Sequence, residues 1–269
     1  MKTFLVHFSS DNQEDLKLDQ IAAFAKHQDA YLIGLFTKKM VTYYGHSAPI
    51  GAGVTTSLFL NLDEFQKDED LVASQVKEKF TEACAVALVG NEWREQRGYA
   101  SKIVLSHARL ADLVIMSHDD SWSNRTSSLD KYLIGDVLRS SSTPFLILPK
   151  KSVLPPDLGS ALIAWKESDE AAKALKLALP FIDKSAEIRV LSVTGRNEKG
   201  PFGNIDISFV ANFLARAGYE VKAITHDANR GSVGQAILSV SREQDCELLV
   251  MGAYSRNRLS EQIFGGVTE

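Results

Sequence analysis

The chain repeats itself. Phe4-Leu5-Val6-His7-Phe8 is an apolar run followed by Ser9-Ser10-Asp11-Asn12, then a stretch with Leu18, Ile21, Ala22 and Ala25 at helical spacing. The same order returns as Ala161-Leu162-Ile163-Ala164-Trp165, then Lys166-Glu167-Ser168 and a clearer helix. There Ser168 suits the N-cap, and Asp169 and Glu170 suit the first turn. Ala171, Ala174, Leu175, Ala178 and Leu179 make that helix's apolar face, and Pro180 stands where it should stop. Later segments pair as well. Ala111-Asp112-Leu113-Val114-Ile115-Met116-Ser117 matches Cys246-Glu247-Leu248-Leu249-Val250-Met251-Gly252, and Ile134-Gly135-Asp136-Val137 matches Phe264-Gly265-Gly266-Val267.

Strands alternating with helices in each half predict an α/β fold with two parallel sheets, each covered on both faces. Further strands are expected at 31–36, at 86–89 or just after, and at 145–148, 188–193 and 219–224. The continuous apolar runs Leu113–Met116 and Leu248–Met251 fit central strands. The proline-rich stretch around Pro149–Gly159 sets the expected domains at 1–150 and 158–269. Segment 38–70 occurs only in the first half. Tyr43-Tyr44-Gly45, Gly51-Ala52-Gly53 and the acidic run Asp63–Asp70 fit a surface loop leading into a helix, or else a lid or partner-binding arm. The second half has no counterpart of Ser142–Pro149, so its sheet is expected to be cut short by its last strand.

Composition narrows the function. A net charge of -4 and a pI near 5.9 argue against a nucleic-acid footprint. No run approaches the 18 apolar residues of a membrane span, and the short N-terminal run does not make a signal peptide. Cys84 and Cys246 read as two buried free thiols, with a disulfide the alternative. A reducing cytoplasmic location is the expectation.

One stretch points to specific chemistry. The apolar strand ending at Met251 runs into Gly252, and a second small-residue turn, Gly265-Gly266-Val267-Thr268, follows. Open turns and helix N-termini present unpaired N–H groups that can cradle phosphate. The bland alternative is a turn whose glycines serve packing alone. Arg256 and Arg258 are candidate phosphate neighbours, and suit a solvated loop equally well.

These residues carry a resemblance. Ala164-Trp165-Lys166-Glu167-Ser168, Leu248–Leu259 and Phe264–Thr268, with Glu92-Trp93-Arg94 and His107–Val114 in the first half, resemble the universal stress protein family in its tandem, two-domain bacterial form. The resemblance covers nearly the whole chain. It implies two flavodoxin-like (Rossmann-like) domains with five-stranded parallel sheets. It also implies a stress-response protein, regulatory and not an enzyme, that binds ATP or a related adenine nucleotide, with or without Mg2+. The family's phosphate pattern is glycine, two residues, glycine, nine residues, glycine, then Ser or Thr. Here Gly252 is the first glycine, Ser255 replaces the second, Gly265 is the third, and Gly266 replaces the hydroxyl residue, with Thr268 two positions on. The family's aspartate after its first strand falls at Lys166, next to Ala164 and Trp165, and its adenine contact falls at Val193. Arg256 and Val267 complete the candidate set. Lys166 exchanges a hydrogen-bond acceptor for a cationic donor. That change favours the alternative of a scaffold that binds proteins without nucleotide. An adenylyl-transferring or ATP-hydrolysing enzyme is a more distant alternative.

In the first half Ser117-His118-Asp119-Asp120 replaces the glycine turn, and Asp136 sits where it would repel phosphate. The expected role of this half is structural, as the internal pseudo-dimer partner of the second; pairing of two chains is also open. His7, the group His107, Arg109 and Asp112, and the run His118-Asp119-Asp120 read as core or surface residues more readily than as a metal or acid–base cluster. Asp227, Arg230, Gly231 and Ser232 resemble the family's loop before the next helix, with Gly231-Ser232 expected to cap it.

Overall fold

A computed structural model of the chain describes residues 1–10, 16–40, 52–118, 133–150, 152–194, 207–227 and 232–253, without the side chains of 52–62 and 194. It divides into two units, Met1–Val153 and Leu154–Glu269.

The first unit runs β1 (Lys2–Phe8), α1 (Leu18–His27), β2 (Ala30–Lys38), α2 (Ala52–Ala87), β3 (Asn91–Arg97), α3 (Ala100–Ala108), β4 (Leu113–His118), α4 (Leu133–Ser140) and β5 (Phe145–Pro149). Its five strands are parallel, in the order β3-β2-β1-β4-β5. Central β1 is apolar on both faces because helices cover both: Phe4, Leu5, Val6 and Phe8 are fully buried. On one face Phe8, Phe36, Phe80 and Trp93 form an aromatic cluster with ring centroids 5.4 to 6.3 Å apart. On the other, Leu5, Leu35, Val114 and Met116 meet Ile103 and Val104 of α3 and Val137 of α4.

The second unit runs β6 (Ser160–Trp165), α5 (Asp169–Ala178), β7 (Glu187–Thr194), α6 (Ile207–Arg216), β8 (Glu220–Asp227), α7 (Val233–Glu243) and β9 (Leu248–Met251). Its described strands form a four-stranded parallel sheet ordered β8-β7-β6-β9. The α5 and α6 side buries Leu175, Val210 and Leu214 against Ile163, Ile188 and Val190. The α7 side packs Ile237 and Val240 on Leu162 and Leu191.

The registers fix the internal repeat residue by residue. Phe4 pairs with Leu32 and Leu113, as Ala161 pairs with Ile188 and Leu248. His7, Phe8, Thr37 and Ser117 therefore stand where the second unit has Ala164, Trp165, Val193 and Gly252.

Several expectations change. Helix α2 begins at Ala52, so most of segment 38–70 is helical; residues 41–51 lie outside the described residues. Residues 86–87 end that helix, and the strand is the segment just after, Asn91–Arg97. Leu88, with φ 56°, closes the helix in the left-handed region, and the chain turns before Asn91. The acidic run on α2 serves the first unit itself: buried Glu69 accepts from the Lys39 N–H and from Arg97 at 2.9 Å each, and Asp70 pairs with Lys38 at 2.7 Å. Cys84 is buried, whereas Cys246 is only half-buried; both are free.

Candidate functional site

The N-terminal turn of α5 is built as its sequence dictates. The Ser168 hydroxyl accepts from the Ala171 N–H at 3.2 Å, with Asp169 and Glu170 in the first turn. Pro180 carries the chain out of the helix in a 3-10 turn, Leu179–Phe181. Only Lys166, Glu167 and Ser168 separate β6 from α5. That short link draws the helix start against the end of β9. A Cβ built on Gly252 would lie 2.7 Å from the Ala171 nitrogen and 2.8 Å from the Glu170 carbonyl carbon. Glycine at 252 is thus a packing requirement, whatever else it does.

Ala164, Trp165, Val193 and Gly252 come together at the carboxyl ends of three adjacent strands, β7, β6 and β9, with Lys166 one residue beyond β6. In open parallel sheets ligands bind at such ends, where the strand order reverses. The order β8-β7-β6-β9 reverses between β6 and β9. All five residues are half-buried, whereas His7, Phe8, Ser9, Thr37 and Ser117 in the first unit are buried. They divide between faces: Ala164 and Val193 pack on the α7 side, Trp165 on the α5 side, where Gly252 also meets α5. The Trp165 indole N–H is buried and has no hydrogen-bond partner among the described residues. An unmet buried donor costs about 1–3 kcal/mol, so this position is suited to receiving an acceptor. Ser255, Arg256, Arg258, Gly265, Gly266, Val267 and Thr268 lie outside the described residues.

Across the sheet, Ser232 caps α7: its hydroxyl accepts from the Gln235 N–H at 3.1 Å, and the Gln235 side chain accepts from the Ser232 N–H at 3.3 Å. Arg230 and Gly231 lie outside the described residues.

Residues 159–269 match the model of the Universal stress protein family. The second half of the chain is thus similar to a universal stress protein domain. In fold, 98% of the chain is similar to a universal stress protein from Archaeoglobus fulgidus DSM 4304, with a TM-score of 0.70, 16% identity and 95% of that chain covered. A protein of Pseudomonas aeruginosa UCBPP-PA14, provisionally assigned to the family, is similar over 98% of this chain and 89% of its own, with a TM-score of 0.50 and 15% identity. A universal stress protein solved in complex with cAMP aligns with 55% of this chain and 96% of its own, with a TM-score of 0.37 and 18% identity. At these identities the likeness is one of fold. No curated protein matches the chain in sequence.

In the first unit the polar residues singled out by sequence do not converge. His107 accepts at Nδ1 from the Arg94 guanidinium, and its Nε2 faces the Gln96 carbonyl oxygen, both at 3.1 Å. Asp112 accepts from the Thr3 N–H at 2.7 Å, and Arg109 is exposed. The three point to different neighbours because they straddle the turn between α3 and β4. His7 bonds Thr37 of the next strand at 2.9 Å. His118 ends β4; Asp119 and Asp120 lie outside the described residues. Among the described residues, no three or more His, Cys, Asp or Glu side chains form a potential metal site, and no helix is long and apolar enough to cross a membrane.

Proposed function

We propose that the universal stress protein domain of the second unit binds an adenine nucleotide, ATP or AMP, and that the chain is a cytoplasmic stress-response regulator, not an enzyme. The buried Trp165 indole N–H, without a partner among the described residues, carries this reading. It lies at the end of β6, where the strand order reverses, so an unmet donor stands where an acceptor-rich ligand would lie, with Lys166 next in the chain. Val193 and Ala164 supply an apolar wall on the α7 side, suited to a flat heterocycle. Ser255, Gly265, Gly266, Val267 and Thr268 would hold the phosphates through backbone N–H groups, with Arg256 as counter-charge and Mg2+ as an optional companion.

A second reading rests on Gly252. Its absent side chain is explained by the close approach of α5, and Asp169 and Glu170 at that helix start disfavour an anion there. The same fold then acts as a scaffold through protein contacts. Calorimetric titration with ATP, ADP and AMP, with and without magnesium, separates the two. Saturable one-site binding supports the nucleotide reading. No heat and no thermal shift at millimolar nucleotide sinks it and leaves the scaffold. Lys166→Asp then reports which sign of group the ligand prefers at that position.

A further inference from the structure

The edge of the first sheet turns polar on its α3 side. Ile33 and Leu35 of β2 pack there with Ile103 and Val104 of α3. Their register partners on β3 are Glu92 and Arg94, which therefore share that side, as does Gln96 two residues on. Arg94, opposite Leu35, stands where the second unit has Ile224, opposite Leu191. Ile224 packs into the apolar α7 side. Arg94 instead meets His107 in the last turn of α3.

The hydrogen bonds there fix the charge of the ring. A guanidinium can only donate, so its contact with His107 Nδ1 at 3.1 Å requires Nδ1 to be a bare acceptor. The ring proton then sits on Nε2, which donates to the Gln96 carbonyl oxygen at 3.1 Å. Glu92 holds Arg94 in place by accepting from its Nε at 2.7 Å and its Nη2 at 3.1 Å. A proton on Nδ1 would point one N–H at another and set two cations face to face. Partial burial and the Arg94 charge push the His107 imidazole below its ordinary 6.5, against the pull of Glu92. The other elements packed around α3 engage their titratable groups elsewhere. Tyr31 of β2 donates to the Asn91 carbonyl, His7 of β1 bonds Thr37, and Asp136 and Arg139 of α4 pair with each other.

We propose that His107 is a proton-operated latch: neutral, it ties the last turn of α3 to the edge strand β3, and protonated, it lets go. The end of α3 keeps a second tie that does not titrate, the Thr143 hydroxyl donating to the Ala108 carbonyl at 2.8 Å. Opening therefore loosens the flank of β3 and leaves the strand in the sheet through its pairing with β2. The fold favours the neutral ring, so the latch is closed above pH 6.5 and opens as the pH falls through the lowered His107 value. The second unit has no such device, with Ile224 in place of Arg94. The latch does not depend on the nucleotide reading.

The test is a long-range proton–nitrogen spectrum of the histidine rings in the 15N-labelled full chain, followed from about pH 8 to about pH 5. His107→Gln assigns the ring and cannot take up a proton. His7, lowered to about 4, titrates below that range. The expected result is an Nε2–H ring at the alkaline end and a His107 midpoint below 6.5. The backbone amide signals of Arg94, Gln96 and Ala108 should move with the same midpoint, and should stay still in His107→Gln. Arg94→Ala should raise the midpoint, which a ring lowered by burial alone would not show. The proposal is overturned if the alkaline ring carries its proton on Nδ1, or if Arg94→Ala leaves the midpoint where it was. It is equally overturned if those amides ignore the titration, or follow it unchanged in His107→Gln.

Discussion

Replacing Gly252 with alanine separates packing from ligand binding at the end of β9. The new methyl would lie 2.7 Å from the Ala171 nitrogen and 2.8 Å from the Glu170 carbonyl carbon, against the 3.4 Å at which ordinary contact begins. Both atoms are backbone of the first turn of α5, so no rotamer change relieves them. Either the helix start or the end of β9 moves by roughly 0.7 Å, and overpacking of this kind costs about 1–3 kcal/mol. Ser168 couples to that displacement, because its hydroxyl is bonded to the same Ala171 N–H. The unliganded second unit should lose on the order of 5–10 °C in its melting transition. Scanning calorimetry of the nucleotide-free full chain measures this directly. The register partner in the first unit is Ser117, which carries a side chain there. The link before α1 is longer in that unit, with β1 ending at Phe8 and α1 starting at Leu18. If Gly252→Ala melts like the parent without nucleotide, the packing argument is wrong and the glycine must be explained by a ligand.

Three further outcomes are expected. Burial pushes the His7 imidazole down from 6.5 to about 4. The folded state then binds fewer protons than the unfolded chain between those values. The stabilisation is complete above pH 6.5 and is lost as the pH falls through 4, about 3 kcal/mol in all; urea melts across that range should show the slope, and His7→Ala should flatten it. Glu69→Ala removes the acceptor of both the Lys39 N–H and Arg97 and should destabilise the first unit by about 2 kcal/mol, read as a shift in its urea midpoint at constant slope. Ser232→Ala removes the cap of α7 and should cost about 1 kcal/mol, seen as faster amide exchange in the first turn of that helix and a lower melting point.

The internal repeat, the parallel α/β class and the capped starts of α5 and α7 were legible in the chain. They rest on local signals: apolar runs of strand length, a serine before an acidic first turn, and a proline at the helix end. Gly252 was legible as a strand running into a glycine turn, whereas Ala164, Trp165, Lys166 and Val193 became candidates only through the family resemblance. Segment 38–70 misled because residues 52–68 lack one decisive periodic signal, while the buried stripe Ala73, Val76, Phe80 and Cys84 further along anchors the helix they join.

The sequence by itself determined what each segment becomes, since capping, periodicity and turn chemistry act between residues a few positions apart. Tertiary structure alone decided which of those segments' ends meet. The steric demand at Gly252 comes from α5, about eighty residues earlier in the chain. The buried His7–Thr37 hydrogen bond follows from Thr37 lying on the neighbouring parallel strand. Neither is written in local sequence, because strand register and helix approach are settled by packing the whole sheet at once.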